Sequence, residues 1–344
     1  MTSSGSAEDF PAFLPPTPTG VARAAELLRA GEVVALPTET VYGLAAHALD
    51  ERAVRSLFAI KGRPLIDPLI VHGLDVNFFV NLAHFTPMAR LLAETCWPGP
   101  LTMIVRKTSA VPLLVTAGRD TVALRAPAHP LMRAVLEACR LPLAAPSANP
   151  FGYLSPTRAE HVRTSFGGCV PWILDGGACA LGLESTIIDV SDTSAPPRIL
   201  RPGPITAEAL AQILDCRVEI GPRESTPATG GLAAPGMLAR HYSPRTPLEL
   251  LESTQKPGSP PVGRRAAWVR LQRPKPKEAT PNAVEVFWLS EDGNLAEAAR
   301  GLYDLLRRLD MAGYAKIWCE CAPESGLGLA LNDRLRRAAG RGNS

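Results

Sequence analysis

No stretch of this chain approaches the roughly 18 to 20 consecutive apolar residues of a membrane-spanning helix. The opening Met1-Thr2-Ser3-Ser4-Gly5-Ser6 lacks the basic start and apolar core of a secretory signal. These absences exclude an integral-membrane reading and a secreted one, and the first residues read as a short disordered tail. Cysteine is scarce and unpatterned: there are seven, at 96, 139, 169, 179, 216, 319 and 321. Cys319-x-Cys321 is too tight for zinc and has no Cys/His partner pair nearby. Buried, reduced thiols in a cytoplasmic protein are the expectation. No Gly-x4-Gly-Lys-Ser/Thr loop occurs, which excludes a P-loop nucleotide site. Ser147 lacks the Gly-x-Ser-x-Gly elbow of a hydrolase nucleophile. The net charge of +3 is too small to argue by itself for nucleic-acid binding.

What remains is an ordinary globular composition, 46% apolar and 20% charged over 344 residues, enough for one large domain and a smaller one. Proline is abundant, at 34 residues, and concentrated at 11–18, 222–247 and 257–281. The last two stretches bracket a shift in composition that reads as a domain boundary. Before it, apolar runs at 33–36, 69–71, 101–105, 121–124, 143–145, 172–174 and 185–190 predict strands. Helical spacing predicts helices over 19–30, 50–61, 86–95, 130–140, 157–165 (opened by a Thr157-x-x-Glu160 capping box) and 206–214. Alternation of this kind means an α/β domain. After the boundary, strands at 268–271, 284–289 and 315–319 and helices at 296–309 and 329–339 predict a second, smaller α/β unit. The division is therefore a disordered tail over 1–18, a catalytic domain over 19–214, a linker over 215–245 and a C-terminal domain over 246–344.

Polar residues gather at the ends of the predicted strands, where ligands of open α/β sheets collect. Pro37-Thr38-Glu39-Thr40 follows the first strand, either as a ligand turn or as threonines bonding their own backbone. Lys61 and Arg63 flank a glycine and are followed by a rigid proline. An ammonium and a guanidinium fork suit phosphate oxygens; the competing reading is a solvated helix end, where cations meet the dipole favourably. His72 ends a strand and has no second histidine at helical or strand spacing, which argues against a metal site. Arg125 ends another strand and can hold a carboxylate bidentately. Ser147 and Asn149, between prolines, offer a hydroxyl and an amide. Glu184-Ser185-Thr186 and Arg201-Pro202-Gly203 repeat the pattern.

These segments together resemble the YrdC/Sua5 family: Pro37 to Leu44, Lys61-Gly62-Arg63-Pro64, Pro68 to His72, Trp97 to Thr102, Pro146 to Asn149, Glu184 to Asp189 and Leu200 to Gly203. Pro235-Gly236-Met237, His241-Tyr242-Ser243-Pro244, Gly326-Leu327-Gly328 and Asn332 to Leu335 resemble the linker and C-terminal domain of its longer, Sua5 type. The resemblance implies a twisted mixed α/β sheet around a positively charged cavity, with a smaller Rossmann-like α/β C-terminal domain. It implies an L-threonylcarbamoyladenylate synthase, a nucleotidyltransferase that condenses L-threonine, bicarbonate and ATP, with Mg2+, to threonylcarbamoyl-AMP and pyrophosphate. The product would pass to the machinery that makes N6-threonylcarbamoyladenosine in tRNA.

Carried over by motif, Thr40, His72, Arg125, Ala145 and Ser185 would surround threonine. Lys61, Arg63, Asp67, Thr121, Ser147, Asn149, Ser155 and Arg201 would line the ATP side, Lys61 and Arg63 as the catalytic cations. Tyr242 would close over the nucleotide. The family commonly has Asn four residues after the arginine of the Lys-x-Arg motif, where this chain has Asp67. A carboxylate there repels phosphates unless Mg2+ bridges it or it turns away. Two other readings compete: a double-stranded RNA-binding module using the same basic cavity, and a carbamoyl-transfer enzyme of the hydrogenase-maturation type. The latter carries zinc-finger-like cysteine sets that this chain lacks.

Overall fold

The computed structural model describes residues 12–170, 172–221, 232, 234, 241–275 and 282–340. Its first element is strand β1 (Ala12–Leu14), followed by helix α1 (Pro18–Arg29), whose Thr17 N-cap accepts from the Gly20 N–H. The tail expected through residue 18 therefore gives way to structure at Ala12, because β1 pairs in parallel with a later strand; residues 1–11 lie outside the described range. Strands β2 (Val34–Leu36) and β3 (Gly43–His47) form an antiparallel pair around the Pro37–Tyr42 turn. Helix α2 (Glu51–Lys61) is capped by Asp50 and stopped by Gly62, which takes the left-handed φ of 64° that favours glycine.

Strand β4 (Ile70–His72), β5 (Ala83–His84), helix α3 (Pro87–Cys96), β6 (Leu101–Lys107), the short α4 (Leu113–Thr116) and β7 (Thr121–Arg125) come next. Then follow α5 (Pro130–Cys139), β8 (Leu143–Ala144), α6 (Ala159–Phe166), β9 (Trp172–Leu174), β10 (Thr186–Asp189), β11 (Arg198–Arg201), α7 (Ala207–Leu214) and β12 (Glu219–Ile220). These strands form one 12-stranded mixed sheet in the order β1-β9-β2-β3-β8-β4-β7-β6-β10-β11-β12, with β5 beside β6. Because β12 pairs with β11, the sheet runs to Ile220, past the expected domain end at 214. The capping box expected at Thr157 does not form: α6 starts at Ala159, and Thr157 Oγ1 lies 3.4 Å from His161 Nδ1 instead.

Both faces of the sheet are buried, as alternating side chains require. In β2, Val34 and Leu36 pack with α1 and α5, while Ala35 joins the cluster under α2 and α3. The same alternation in β4 and β7 sends Val71 and Leu124 toward those helices and His72 and Arg125 to the opposite face.

The C-terminal domain is a four-stranded, wholly parallel sheet of β13 (Leu248–Leu251), β14 (Ala266–Gln272), β15 (Val284–Ser290) and β16 (Ile317–Glu320), in the order β13-β16-β14-β15. Helices α8 (Leu295–Met311) and α9 (Leu327–Ala338) cover one face, over Ala267, Val269, Ile317 and Cys319. The other carries Trp268 and Trp318 side by side. The two domains share a core: Val41, Leu154 and Leu183 of the large sheet's loops pack with Leu302, Tyr303 and Leu331. All seven cysteines are free; Cys139, Cys179 and Cys319 are buried as expected, whereas Cys169 and Cys216 are exposed. No helix among the described residues is long and apolar enough to cross a membrane.

Candidate active site

His72, Arg125 and Arg201 are the last residues of β4, β7 and β11. β4 runs parallel to β7, and the steps from β7 through β6 and β10 to β11 reverse direction twice. All three side chains therefore start from one edge of the sheet. Ser185, just before β10, stands at the same edge. These residues line a single cavity with Thr40, Val41, Arg63, Ile70, Ala145, Pro146, Ser147, Glu184, His241 and Tyr242.

One side of the cavity is organised by Arg125. Its Nε donates to the Gly99 carbonyl (3.2 Å), Nη1 to Thr40 Oγ1 (3.0 Å) and Nη2 to Glu39 Oε1 (2.6 Å). A guanidinium has five N–H groups, so two remain for a ligand. Glu39 is itself fixed by the Ala128 N–H. Burial pushes its carboxyl up, but the charge and hydrogen bonds of Arg125 outweigh this and hold it below the usual carboxylate range. Both readings of the threonine turn hold, divided by residue. Thr38 donates to the Val41 carbonyl and accepts from the N–H groups of Thr40 and Val41, while Thr40 meets Arg125 and the cavity. Burial, reinforced by Arg125, pushes His72 down to about 3, so the imidazole is neutral; its Nδ1 has no partner among the described residues. Ala145 lines the wall with its N–H taken by the Ile70 carbonyl.

The opposite side carries Arg63, Arg201 and Ser147. Arg201 donates through Nε and Nη2 to the Ser185 carbonyl and through Nη2 to Ser185 Oγ, which also meets Thr102 Oγ1 at 2.7 Å. Arg63 donates to the carbonyls of Asp67 and Pro68 and pairs with the Asp67 carboxylate at 2.9 Å. Asp67 is fully buried in that pair and does not line the cavity.

Four other expected contacts stand back from the cavity wall. Lys61 Nζ spends its three N–H groups on Ser147 O (2.6 Å), Asn149 O (2.7 Å) and Asn149 Oδ1 (3.3 Å). It is a tether that shapes the Ser147–Asn149 loop from behind, and burial with Arg63 nearby holds its ammonium well below the usual lysine range. The Asn149 amide is spent on the carbonyls of Pro150 and Tyr153. Ser155 donates to Glu184. Thr121 opens β7, roughly 13 Å along the strand from Arg125 at about 3.3 Å per residue, and borders a different crevice.

Two cavity residues come from the linker. Tyr242, at φ 60°, buries its ring against His241, and Tyr303 of α8 lies 5.9 Å away. His241 is edge-on to Phe151, with both ring nitrogens buried and unpartnered among the described residues. Burial and the charges of Lys61, Arg63 and Arg201 hold it neutral. With this pair in place the cavity measures about 50 Å³. That admits a few waters, against the roughly 300–1,000 Å³ of a typical ligand pocket. The rest of the linker motif, Pro235-Gly236-Met237, lies outside the described residues. Sequence reading missed the contribution of the C-terminal domain, whose Tyr303 and Arg334 reach Glu184 on the cavity wall. Its sequence signals were the Asn332 to Leu335 motif and an arginine within a mostly apolar helical stripe.

Comparison with known proteins shows the family and the fold. A family model described as "Telomere recombination", covering Sua5, YciO and YrdC, matches residues 26–203, and one described as "Threonylcarbamoyl-AMP synthase, C-terminal domain" matches 205–340. The threonylcarbamoyl-AMP synthase of Pyrococcus abyssi is 40% identical over 321 residues, covering 92% of this chain and 93% of that protein. The threonylcarbamoyl-AMP synthase of Bacillus subtilis is 40% identical over 329 residues, covering 93% of each. The crystal structure of P. abyssi Sua5 complexed with L-threonine superposes with a TM-score of 0.84 at 37% identity, over 96% of this chain and 98% of that one.

Proposed function

The chain belongs to the YrdC/Sua5 family, in its two-domain Sua5 form, and from that premise we propose how its cavity performs the synthesis of threonylcarbamoyl-AMP. The reaction condenses L-threonine, bicarbonate and ATP and releases pyrophosphate. The observation that carries the assignment is one cavity lined by three buried arginines, Arg63, Arg125 and Arg201, which supports a reading as two anion subsites. Arg125, with two N–H groups to spare beside Thr40 and His72, fits an amino-acid carboxylate. Arg63 and Arg201, beside Ser147, fit a triphosphate.

Threonine binds by its carboxylate on Arg125, which leaves its amine near His72 and Ser185. The neutral amine attacks the carbon of bicarbonate; the C–OH bond breaks and the hydroxyl leaves as water with a proton from the amine, giving a carbamate. A carbamate oxygen then attacks the α-phosphorus of ATP, and the bond to the β,γ-pyrophosphate breaks. No covalent enzyme intermediate is needed; positioning and charge neutralisation supply the acceleration. Arg63 and Arg201 act at contact, and Lys61 acts through the Ser147–Asn149 loop it holds. Mg2+ brought with ATP would supply counter-charge to the triphosphate, and no group of side chains among the described residues is arranged to hold it. The cavity's carboxylate, Glu184, has both oxygens engaged by protein donors. Tyr242 and His241 fill the nucleotide space in the closed form and swing out to admit substrate. The free thiols suit a cytoplasmic setting, where the product passes to the tRNA threonylcarbamoyl-transfer machinery.

The RNA-binding alternative needs an open basic surface, yet Arg63, Arg125 and Arg201 are only 7%, 4% and 5% exposed. The carbamoyl-transfer alternative leaves the matched C-terminal domain without a place. The test is chromatography of the products formed from ATP, L-threonine, bicarbonate and Mg2+, with each omitted in turn. A threonylcarbamoyl adenylate that requires all three substrates is expected, and Arg63→Ala abolishes the threonine-dependent pyrophosphate release. Adenylate formed without threonine, or near-normal rates in Arg63→Ala, would overturn the assignment.

A further inference from the structure

A cavity built for two anions carries one carboxylate among its described lining residues, Glu184. Left alone, that charge would repel phosphate and compete for the arginines meant to hold it. Every acceptor position it uses is filled from outside the cavity. Oε1 accepts from Ser155 Oγ; Oε2 accepts from Tyr303 Oη of α8 at 3.1 Å and from Arg334 Nε of α9 at 2.7 Å. Arg334 is 1% exposed and reaches across the domain boundary, its guanidinium also lying 5.4 Å from the centre of the Tyr242 ring. Its Nη1 is held by Asp333, so the fork is fixed in direction.

We propose that Arg334 is a positioning residue for the nucleotide half of the site: by engaging Glu184 it keeps Arg201 available for phosphate. The C-terminal domain thereby completes the electrostatics of a cavity it does not line. The inference rests on the preceding assignment of Arg201 to ATP. Arg334 and then Arg201 are the cations that most favour the charged form of Glu184, and although burial pushes this carboxyl up, together they hold it below the usual range. Removing Arg334 therefore leaves Arg201 as the next partner. Arg201 is suited to that exchange, since only its Nε and Nη2 are committed to Ser185. A buried charge that loses its partner is strongly unfavourable until it finds another, and here the move of Arg201 to Glu184 withdraws a cation from the phosphate subsite.

The experiment is a mutant cycle in the full-length chain: wild type, Arg334→Met, Glu184→Gln and the double variant. Steady-state KM values for ATP and threonine are read from pyrophosphate release, and Mg·ATP binding is measured separately by calorimetry. Arg334→Met is expected to raise the ATP KM about tenfold or more while the threonine KM stays within about twofold. Adding Glu184→Gln is expected to return the ATP KM to within about threefold of wild type, because no orphaned carboxylate remains to capture Arg201. Equal losses for both substrates, or a double variant no better than Arg334→Met, would show a merely structural brace. If Arg334→Met does not fold, the double variant, which buries no unpaired charge at this pair, carries the test: folded without Mg·ATP binding, it overturns the proposal. Wild-type protein lacking threonine-dependent pyrophosphate release would instead remove the underlying assignment.

Discussion

At Asp67 the sequence departs from its family's usual asparagine, and the structure shows what the carboxylate does instead. It turns away from the cavity and pairs with Arg63 at 2.9 Å, with both side chains nearly free of solvent. The charge of Arg63, the cation we propose for phosphate, is thus already answered by a protein carboxylate. Asp67→Asn keeps a hydrogen-bonding group but removes that compensation. It should lower the ATP KM by about threefold and lower stability by about 1–3 kcal/mol, with turnover retained. Steady-state kinetics and thermal melting check both, and a tenfold rise in ATP KM would mean that Asp67 meets the nucleotide or its metal directly. The site residues were legible in the sequence where a polar side chain ends an apolar strand, as His72 and Arg125 do; Arg201, on a strand the pattern did not show, was legible through its Arg-Pro-Gly motif, and all three line the cavity. Lys61 and Asn149 were legible as important but not in role: the acceptors of Lys61 lie in a loop 86 and 88 positions away that no spacing rule reveals, and the Asn149 amide turns back on the carbonyls of its own loop. Arg334 fell within the Asn332 to Leu335 motif, but its role was not legible because its partner lies 150 positions away.

Among the elements, α2 shows how local signals place a functional residue. Asp50 Oδ1 accepts from the N–H groups of Arg52 (2.9 Å) and Ala53 (3.4 Å), and Gly62 ends the helix at Lys61. Asp50→Ala should cost about 1 kcal/mol of stability. Both KM values should stay unchanged, because Lys61 is anchored independently by three acceptors at its far end. A melting curve and the two KM values test this, and a shifted ATP KM would show that the helix start, not the Lys61 tether, sets the loop. Helices α2, α3, α5 and α7 were legible within a residue or two because cap, period and stop agree in each. Strands β3, β11 and β13 escaped notice: each is short, and tertiary pairing rather than an alternating pattern makes it a strand. At α6 the capping-box spacing was present, but the Thr157 side chain meets His161, so the rule failed on a local competitor.

For the molecule as a whole, His72 and His241 are buried and His161 half-buried, all three held below the ordinary imidazole range, and they sit where parts of the chain meet. His72 lies between Arg125 and Glu39 on the cavity wall and is pushed down to about 3 by burial, then by Arg125. His161 stands at the domain boundary, facing Asp304 and the cations Arg307 and Arg158, and is pushed down to about 4, chiefly by burial. His241 lies among Lys61, Arg63, Arg201 and Arg337 and is held well below the ordinary 6.5, again by burial first. A depressed folded-state value means that the unfolded chain binds the proton more readily. Stability is therefore complete above about pH 6.5 and declines as pH falls toward the folded values. By pH 5 each such histidine costs about 2 kcal/mol. The buried carboxylates Glu39 and Glu184 are also depressed, from 4.5, so their stabilisation is lost only at lower pH and forms a separate step. Because the domains share one hydrophobic cluster, the loss should register as a single transition moving as a unit. The melting temperature should fall by on the order of 5 °C or more between pH 7 and pH 5, and His161→Gln should flatten part of that slope. A melting temperature constant across this range, or an acid transition that begins only below pH 4.5, would show that the histidines at these junctions are not held neutral by their surroundings.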